Sequence, residues 1–211
     1  MSLEEFQRAL VDLTLNPRLA VRLIRAELNG MDNFSLTERE SRRIVDIVKQ
    51  RGMSVSCSLA RGNRFEPIGE IFPMTCILLE PVLRDLLDEL WQEARPMNYQ
   101  FSGEEESFAQ MIRSKISSGH LFIEYLEEIF NYEWACWQLA RQMRAQTDFD
   151  HEAAMIIEFK HPPDQLLPPL SELTLPPTGL PEGTYKARIT LRGNRFYVTA
   201  VSDAAESKQL A

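Results

Sequence analysis

The residues able to do chemistry in this 211-residue chain are few and far apart. Its three histidines, His120, His151 and His161, have no second histidine two to four positions away, the spacings that would put two imidazoles on one strand or helix face. A metal site would have to gather them from distant positions together with carboxylates. Cys57, Cys76 and Cys136 are odd in number, widely separated and outside any C-x-x-C pair. That spacing argues against a disulfide framework and against a thiolate metal site, and leaves packed thiols as the expectation. There is no G-x-S-x-G elbow, no P-loop and no Rossmann glycine pattern. No catalytic residue, cofactor or metal is therefore assigned. Glu124 and Glu128, at i and i+4, could hold a cation, but a solvated helix face is the preferred reading. Tyr125, Phe130, Trp134 and Trp137 could line a pocket, and core packing is preferred for them.

The arginines suggest binding. Arg18, Arg22 and Arg25 lie at i, i+4 and i+7, a stripe that could dock an acidic partner or merely face water. The pentapeptide RGNRF occurs twice, at residues 61–65 and 192–196. Around the second copy, Tyr185, Ala187, Ile189 and Leu191 alternate on one parity, and Phe196, Val198 and Ala200 continue after Gly193-Asn194. This predicts a β-hairpin with the arginines flanking its tip. The first copy has no alternation around it and reads as a connection between helical segments, with Arg61 and Asn63 capping the adjacent helix. The repeat is thus the same five letters in two backbone geometries. Candidate partner-binding residues are Arg61, Asn63, Tyr185, Arg192, Arg195, Arg18 and Arg22.

The elements that must position these residues are mostly helical. Ser2 and Glu5 have capping-box spacing ahead of Leu3, Phe6, Leu10 and Leu13. Asn16-Pro17 ends that helix and starts another, for which Gly30 is the stop. Ser35 and Glu38 form a second capping box, opening a helix with Leu36, Ile44, Ile47 and Val48 on one face and terminated at Gly52. Arg39, Arg42, Arg43 and Arg51 fall on the other side. Prolines 67, 73 and 81 predict short helical turns leading into a helix from Pro81 to Ala94, buried through Leu83, Leu86, Leu87, Leu90 and Trp91. Helices are further expected over Glu104–Ile116 and His120–Gln146, the latter the longest, with Leu121 and Phe122 among its apolar residues. Beyond about residue 150, AAMIIEFK is β-rich and HPPDQLLPPLSELTLPPTGLP, with seven prolines, is read as irregular. The fold class expected is mainly α: a helical bundle domain over 1–148, then a proline-rich linker and small β region with a loose tail over 149–211.

Charge narrows the partners. Residues 1–64 carry 11 Lys/Arg and 8 Asp/Glu, residues 65–160 carry 7 and 18, and residues 161–211 carry 5 and 5. So acidic a middle repels phosphate backbones, which disfavours nucleic acid unless the arginines of the first third form their own patch. Apolar stretches such as MTCILL are too short to span a bilayer, and the start MSLEEFQRAL lacks a basic region followed by an apolar one. A cytoplasmic protein without membrane contact is expected.

Three segments together resemble a known family. SLEEFQRAL, ARGNRFEPIGEIFPMTCILLEPVLRDLLDELW and FIEYLEEIFNYEWACWQLA are similar, in order and over roughly residues 3–140, to bacterial proteins of unknown function that carry a DNA-binding-domain label. Those proteins show L-x-x-x-Q-x-A, then Y-R-x-N, then F-P-x-x-x-x-L-x-G, then Y-L followed by L-E-W-A. Here Phe6, Gln7 and Ala9 match the first, Arg61 and Asn63 the second, Phe72 and Pro73 the third, and Tyr125, Leu126, Glu133, Trp134 and Ala135 the last. Ala60 and Glu80 stand where the family has tyrosine and glycine, and the carboxy-terminal part is shorter than the family's second domain. The stretch from Asn16 to Gly52 resembles instead the small helical subunit of two-subunit extradiol dioxygenases. Many family members are encoded beside multinuclear non-haem iron oxidases that modify ribosomal peptides. The resemblance therefore implies a non-catalytic accessory protein that binds such an enzyme, its peptide substrate, or both. A small subunit of a ring-cleavage dioxygenase and a DNA-binding regulator are the alternatives, and a homodimer is compatible with all three.

Overall fold

The computed structural model describes residues 3–26, 34–93, 103–145, 153–193 and 195–201. Among them the chain forms α1 (Leu3–Leu15), α2 (Pro17–Ala26), α3 (Glu38–Val48), α4 (Arg51–Ile71), α5 (Pro73–Leu78), α6 (Glu80–Glu93), α7 (Glu104–Ser117), α8 (Leu126–Ala145), β1 (Ala153–Phe159), α9 (Pro163–Ser171), β2 (Tyr185–Arg192) and β3 (Arg195–Val201). It is mainly α, with one small antiparallel sheet of order β1-β2-β3 near the carboxy terminus. No helix among the described residues is long and apolar enough to cross a membrane. The chain divides into two compact units: residues 1–67 with 87–107, and residues 68–86 with 108–211.

In the first unit, α1, α2 and α3 pack around Ala9, Leu13, Ala20, Leu23, Ile44 and Val48, with Met53 and Cys57 of α4 joining the same core. Asn16 ends α1 and caps α2, its Oδ1 accepting from the Leu19 N–H at 3.2 Å, and Pro17 takes the first helical position. The capping box before α3 is two residues later than the spacing suggested. Thr37, not Ser35, accepts from the Glu40 N–H, and the Glu40 carboxylate returns to the Thr37 N–H at 2.8 Å. Both pairs satisfy the three-residue rule, and it is Thr37 and Glu40 that close the box, with the helix starting at Glu38. The Ser2 and Gly30 signals lie outside the described residues.

The first RGNRF copy is not a connection. It lies within α4, a 21-residue helix that continues through Pro67, so Arg61 and Asn63 cap nothing. Positions 53, 57, 61 and 64 form one helical stripe, on which Met53, Cys57 and Arg64 are buried and Arg61 is half-buried. Arginines occupy the slots where an apolar residue would have revealed the period.

In the second unit, α8 begins at Leu126, not His120, and is one residue shorter than α4. The preceding stretch is irregular, Phe122 is 95% exposed, and Tyr125 has φ +65°, a conformation unusual for a side chain of its size. Its hydroxyl donates to the Pro177 carbonyl at 2.9 Å and accepts from the Leu180 N–H at 3.2 Å, while its ring meets His161 edge-on at 4.8 Å. These contacts hold the strained residue. The proline-rich segment also forms a helix, contrary to expectation. Pro163 sits in the first turn of α9, Pro168 and Pro169 lie inside it, and Leu166 and Leu170 are buried one turn apart. Nine residues need few internal hydrogen bonds, so anchoring leucines can hold a helix that the prolines would otherwise break.

Candidate docking site

The sheet positions the candidate recognition surface. β1 pairs with β2 and β2 with β3, all antiparallel, with Ile189 opposite Met155 on one side and Val198 on the other. Ile189 and Leu191 are buried against Ala135 and Leu139 of α8, with Tyr132, Met155 and Ile157 packed around them. The parity expected from the sequence is therefore the inward parity, and Gly193 at the turn has φ +58° as the hairpin requires. α8 covers β1 and β2. On β3, by contrast, the inward residues Phe196 and Ala200 are exposed and Val198 is only half-buried.

Beside this uncovered strand runs a groove of about 840 Å³, bordered by Val198 and Ala200 of β3, Tyr185 of β2, Tyr132 of α8 and Leu167 and Pro168 of α9. No strand among the described residues pairs with the outer edge of β3. Its sequence, RFYVTAV, carries one charge and no proline, so it lacks the features that normally blunt such an edge.

Two motif segments from the sequence meet in this unit as structural residues. Phe72 stacks on Phe130 at 5.6 Å and on Trp134 at 6.3 Å. Both carboxylate oxygens of the adjacent Glu133 accept backbone N–H groups at the start of α5, from Met74 at 2.7 Å and Thr75 at 2.9 Å. Burial outweighs these two bonds and pushes the Glu133 carboxyl up to about 7. Burial likewise pushes the Cys76 and Cys136 thiols up to about 12 and the Tyr132 phenol upward. At neutral pH none of these sulfurs is a ready thiolate. Met74 also borders the groove, so Glu133 helps fix one of its walls.

The carboxylates of the sequence reading divide. Glu128 is not on a solvated face: it is buried and accepts from the N–H groups of Lys160 at 2.9 Å and His161 at 3.2 Å, with its Oε1 2.5 Å from His161 Nδ1. The connection after β1 folds back over the start of α8 and supplies those donors. Glu124, exposed, accepts from the Gly179 N–H at 3.2 Å. His120 Nδ1 lies 2.7 Å from Ser118 Oγ, and His151 is outside the described residues. Among the described residues no three His, Cys, Asp or Glu side chains are grouped as metal ligands would be.

Of the candidate binding residues, Tyr185, Arg192 and Arg195 belong to the sheet, Tyr185 at the far end of β2 from the arginine pair, which face each other across the turn. Arg22 is exposed on α2; the Arg18 side chain is outside the described residues. Asn63 is exposed on α4. Arg61 pairs with Asp88 at 2.7 Å and lies 5.2 Å over the Trp91 ring. The sequence reading missed Arg64, which is 1% exposed, stacks over Trp91 at 5.1 Å and bonds Glu104 at 2.6 Å. Trp91 Nε1 donates to the second Glu104 oxygen at 3.0 Å. The groove residues Leu167 and Pro168 were missed as well, whereas Val198 and Ala200 were read as part of the hairpin; the i, i+4 pair Leu166 and Leu170 was the only signal for α9. The Arg39, Arg42 and Arg43 patch is interleaved with Glu38 and Asp46, and Arg42 is paired with Glu38. No family model matches the chain, and no curated protein matches it.

Proposed function

We propose that this protein is an accessory partner that takes an extended peptide along the open edge of β3 and holds it for chemistry carried out by another chain. One observation carries the reading: among the described residues no strand pairs with the outer edge of β3, and beside it lies a groove walled mainly by apolar side chains, with Asp164, Ser171 and Lys186 among its lining. An extended peptide added to such an edge gains main-chain hydrogen bonds, and alternate side chains drop into the groove. Of the wall residues, Tyr132 has its phenol held neutral by burial, as suits a binding surface. The family resemblance in the sequence, to proteins encoded beside peptide-modifying iron oxidases, points the same way and nominates both the enzyme and its peptide as partners.

The test is calorimetry of the purified chain with the enzyme and the precursor peptide encoded beside its gene, with hydrogen exchange followed over residues 195–201. Peptide binding that slows exchange in β3 is expected. No heat with either partner would remove the reading, and binding that leaves β3 exchange unchanged would move the site elsewhere.

A further inference from the structure

The register of the sheet sorts its charges by face. Ile189 and Leu191 point toward α8, so Lys186, Arg188 and Arg192, on the alternate parity of β2, fall on the opposite face, with Lys186 at the strand's start also bordering the groove. Arg195 of β3 joins them, being directly opposite Arg192. These four are all but one of the five Lys/Arg in residues 161–211, and the same face carries one carboxylate, Glu158 of β1, opposite Lys186. Like charges facing each other across two strands weaken a sheet. Arg192 and Arg195 are such a pair, in a chain whose net charge is −8, and Arg192 lies 6.0 Å over the Tyr197 ring on the same face. The other face of β3 is apolar: Phe196, Val198 and Ala200, with the groove beside them.

A strand added to β3 would have the same alternation imposed on it. One parity would enter the groove among Val198, Ala200, Leu167 and Pro168. The other would lie beside Arg195, Tyr197 and Thr199, with Arg188 one strand further and within the reach of a long side chain. We infer that the docked peptide is a segment about as long as β3, in which apolar residues alternate with acidic ones. This rests on β3 being a docking edge, and it adds the chemistry of the occupant. Charge complementarity selects acidic side chains for the outer parity, and the groove selects apolar ones for the inner.

Fluorescence anisotropy on the full chain tests it with labelled seven-residue peptides, the length of β3: alternating valine and glutamate, valine and serine, valine and lysine, and glutamate and serine. The valine-glutamate peptide should bind about tenfold or more tighter than valine-serine, with the advantage shrinking as salt is raised. The double variant Arg188→Glu/Arg195→Glu, confirmed as folded by circular dichroism, should prefer valine-lysine. Equal binding of the glutamate, serine and lysine peptides would leave the docking edge standing and overturn the acidic preference. Binding of glutamate-serine as tight as valine-glutamate would overturn the role of the groove. No binding of any peptide would overturn this inference and the docking edge together. Oligothymidylate binding more tightly than every peptide would assign the basic face to nucleic acid and overturn the proposal.

Discussion

Two of the buried ionisable side chains, Arg64 and Glu133, behave oppositely at the residue scale. Arg64 is charged, buried and paired with Glu104, and truncating it would leave that carboxylate buried beside Trp91 with its partner gone. Breaking a buried pair from one side costs about 3–5 kcal/mol, whereas a partly exposed pair such as Arg61 with Asp88 is worth about 1 kcal/mol. Arg64→Ala should therefore lower the denaturation midpoint far more than Arg61→Ala, which urea titration of both variants would show. Glu133 is held by two N–H donors yet has its proton affinity raised by burial, from 4.5 to about 7. Between those values the folded chain binds a proton that the unfolded chain has released. The contribution is therefore fully present below pH 4.5 and is lost as pH rises through about 7. The loss amounts to about 3 kcal/mol. Urea midpoints across this range should fall with pH at this site, and Glu133→Gln, which cannot ionise, should flatten the trend.

At the scale of elements, the two RGNRF copies show how context sets the meaning of a short sequence. In α4, residues three apart share a face, so Arg61 and Arg64 both reach Trp91. Across the turn between β2 and β3, residues three apart become cross-strand neighbours, so Arg192 and Arg195 face each other. Gly193 is what allows that turn, at φ +58°. Gly193→Ala would force a side chain into the left-handed region at about 1–2 kcal/mol, and the melting temperature should drop accordingly. The hairpin, α1 through α3 and the buried face of α6 were legible because their periods are uninterrupted. α4 was hidden because Arg61 and Arg64 occupy its buried stripe, and α9 because its prolines mask the Leu166 and Leu170 spacing. The candidate site was half legible: the hairpin and its arginines could be read, but the groove could not, since its α9 wall arrives from a segment that looked irregular.

On the scale of the whole molecule, the two compact units are discontinuous in sequence, and α4, α6 and α7 each contribute residues to both. In the second unit, β1 and β2 cover Ala135 and Leu139 of α8 together with half-buried Tyr132, Cys136 and Met143. A chain ending at residue 148 would expose that apolar face. It should bind a hydrophobic dye strongly and lose near-ultraviolet circular dichroism, whereas the full chain should do neither. A truncated chain that unfolds as cooperatively as the whole would contradict this packing.

The amino-acid sequence by itself determined the fold class, the Asn16-Pro17 break between α1 and α2 and the hairpin with its inward parity, because caps, turns and hydrophobic periods act over a few residues. Tertiary structure alone decided that Glu128 and Glu133 are buried acceptors, that Arg64 belongs to a core, and that β3 overhangs α8 beside a groove. The hydrogen-bond partners of Glu128, Arg64 and Glu133 lie from 32 to 59 residues away, and burial of a polar group is settled only when those distant partners arrive.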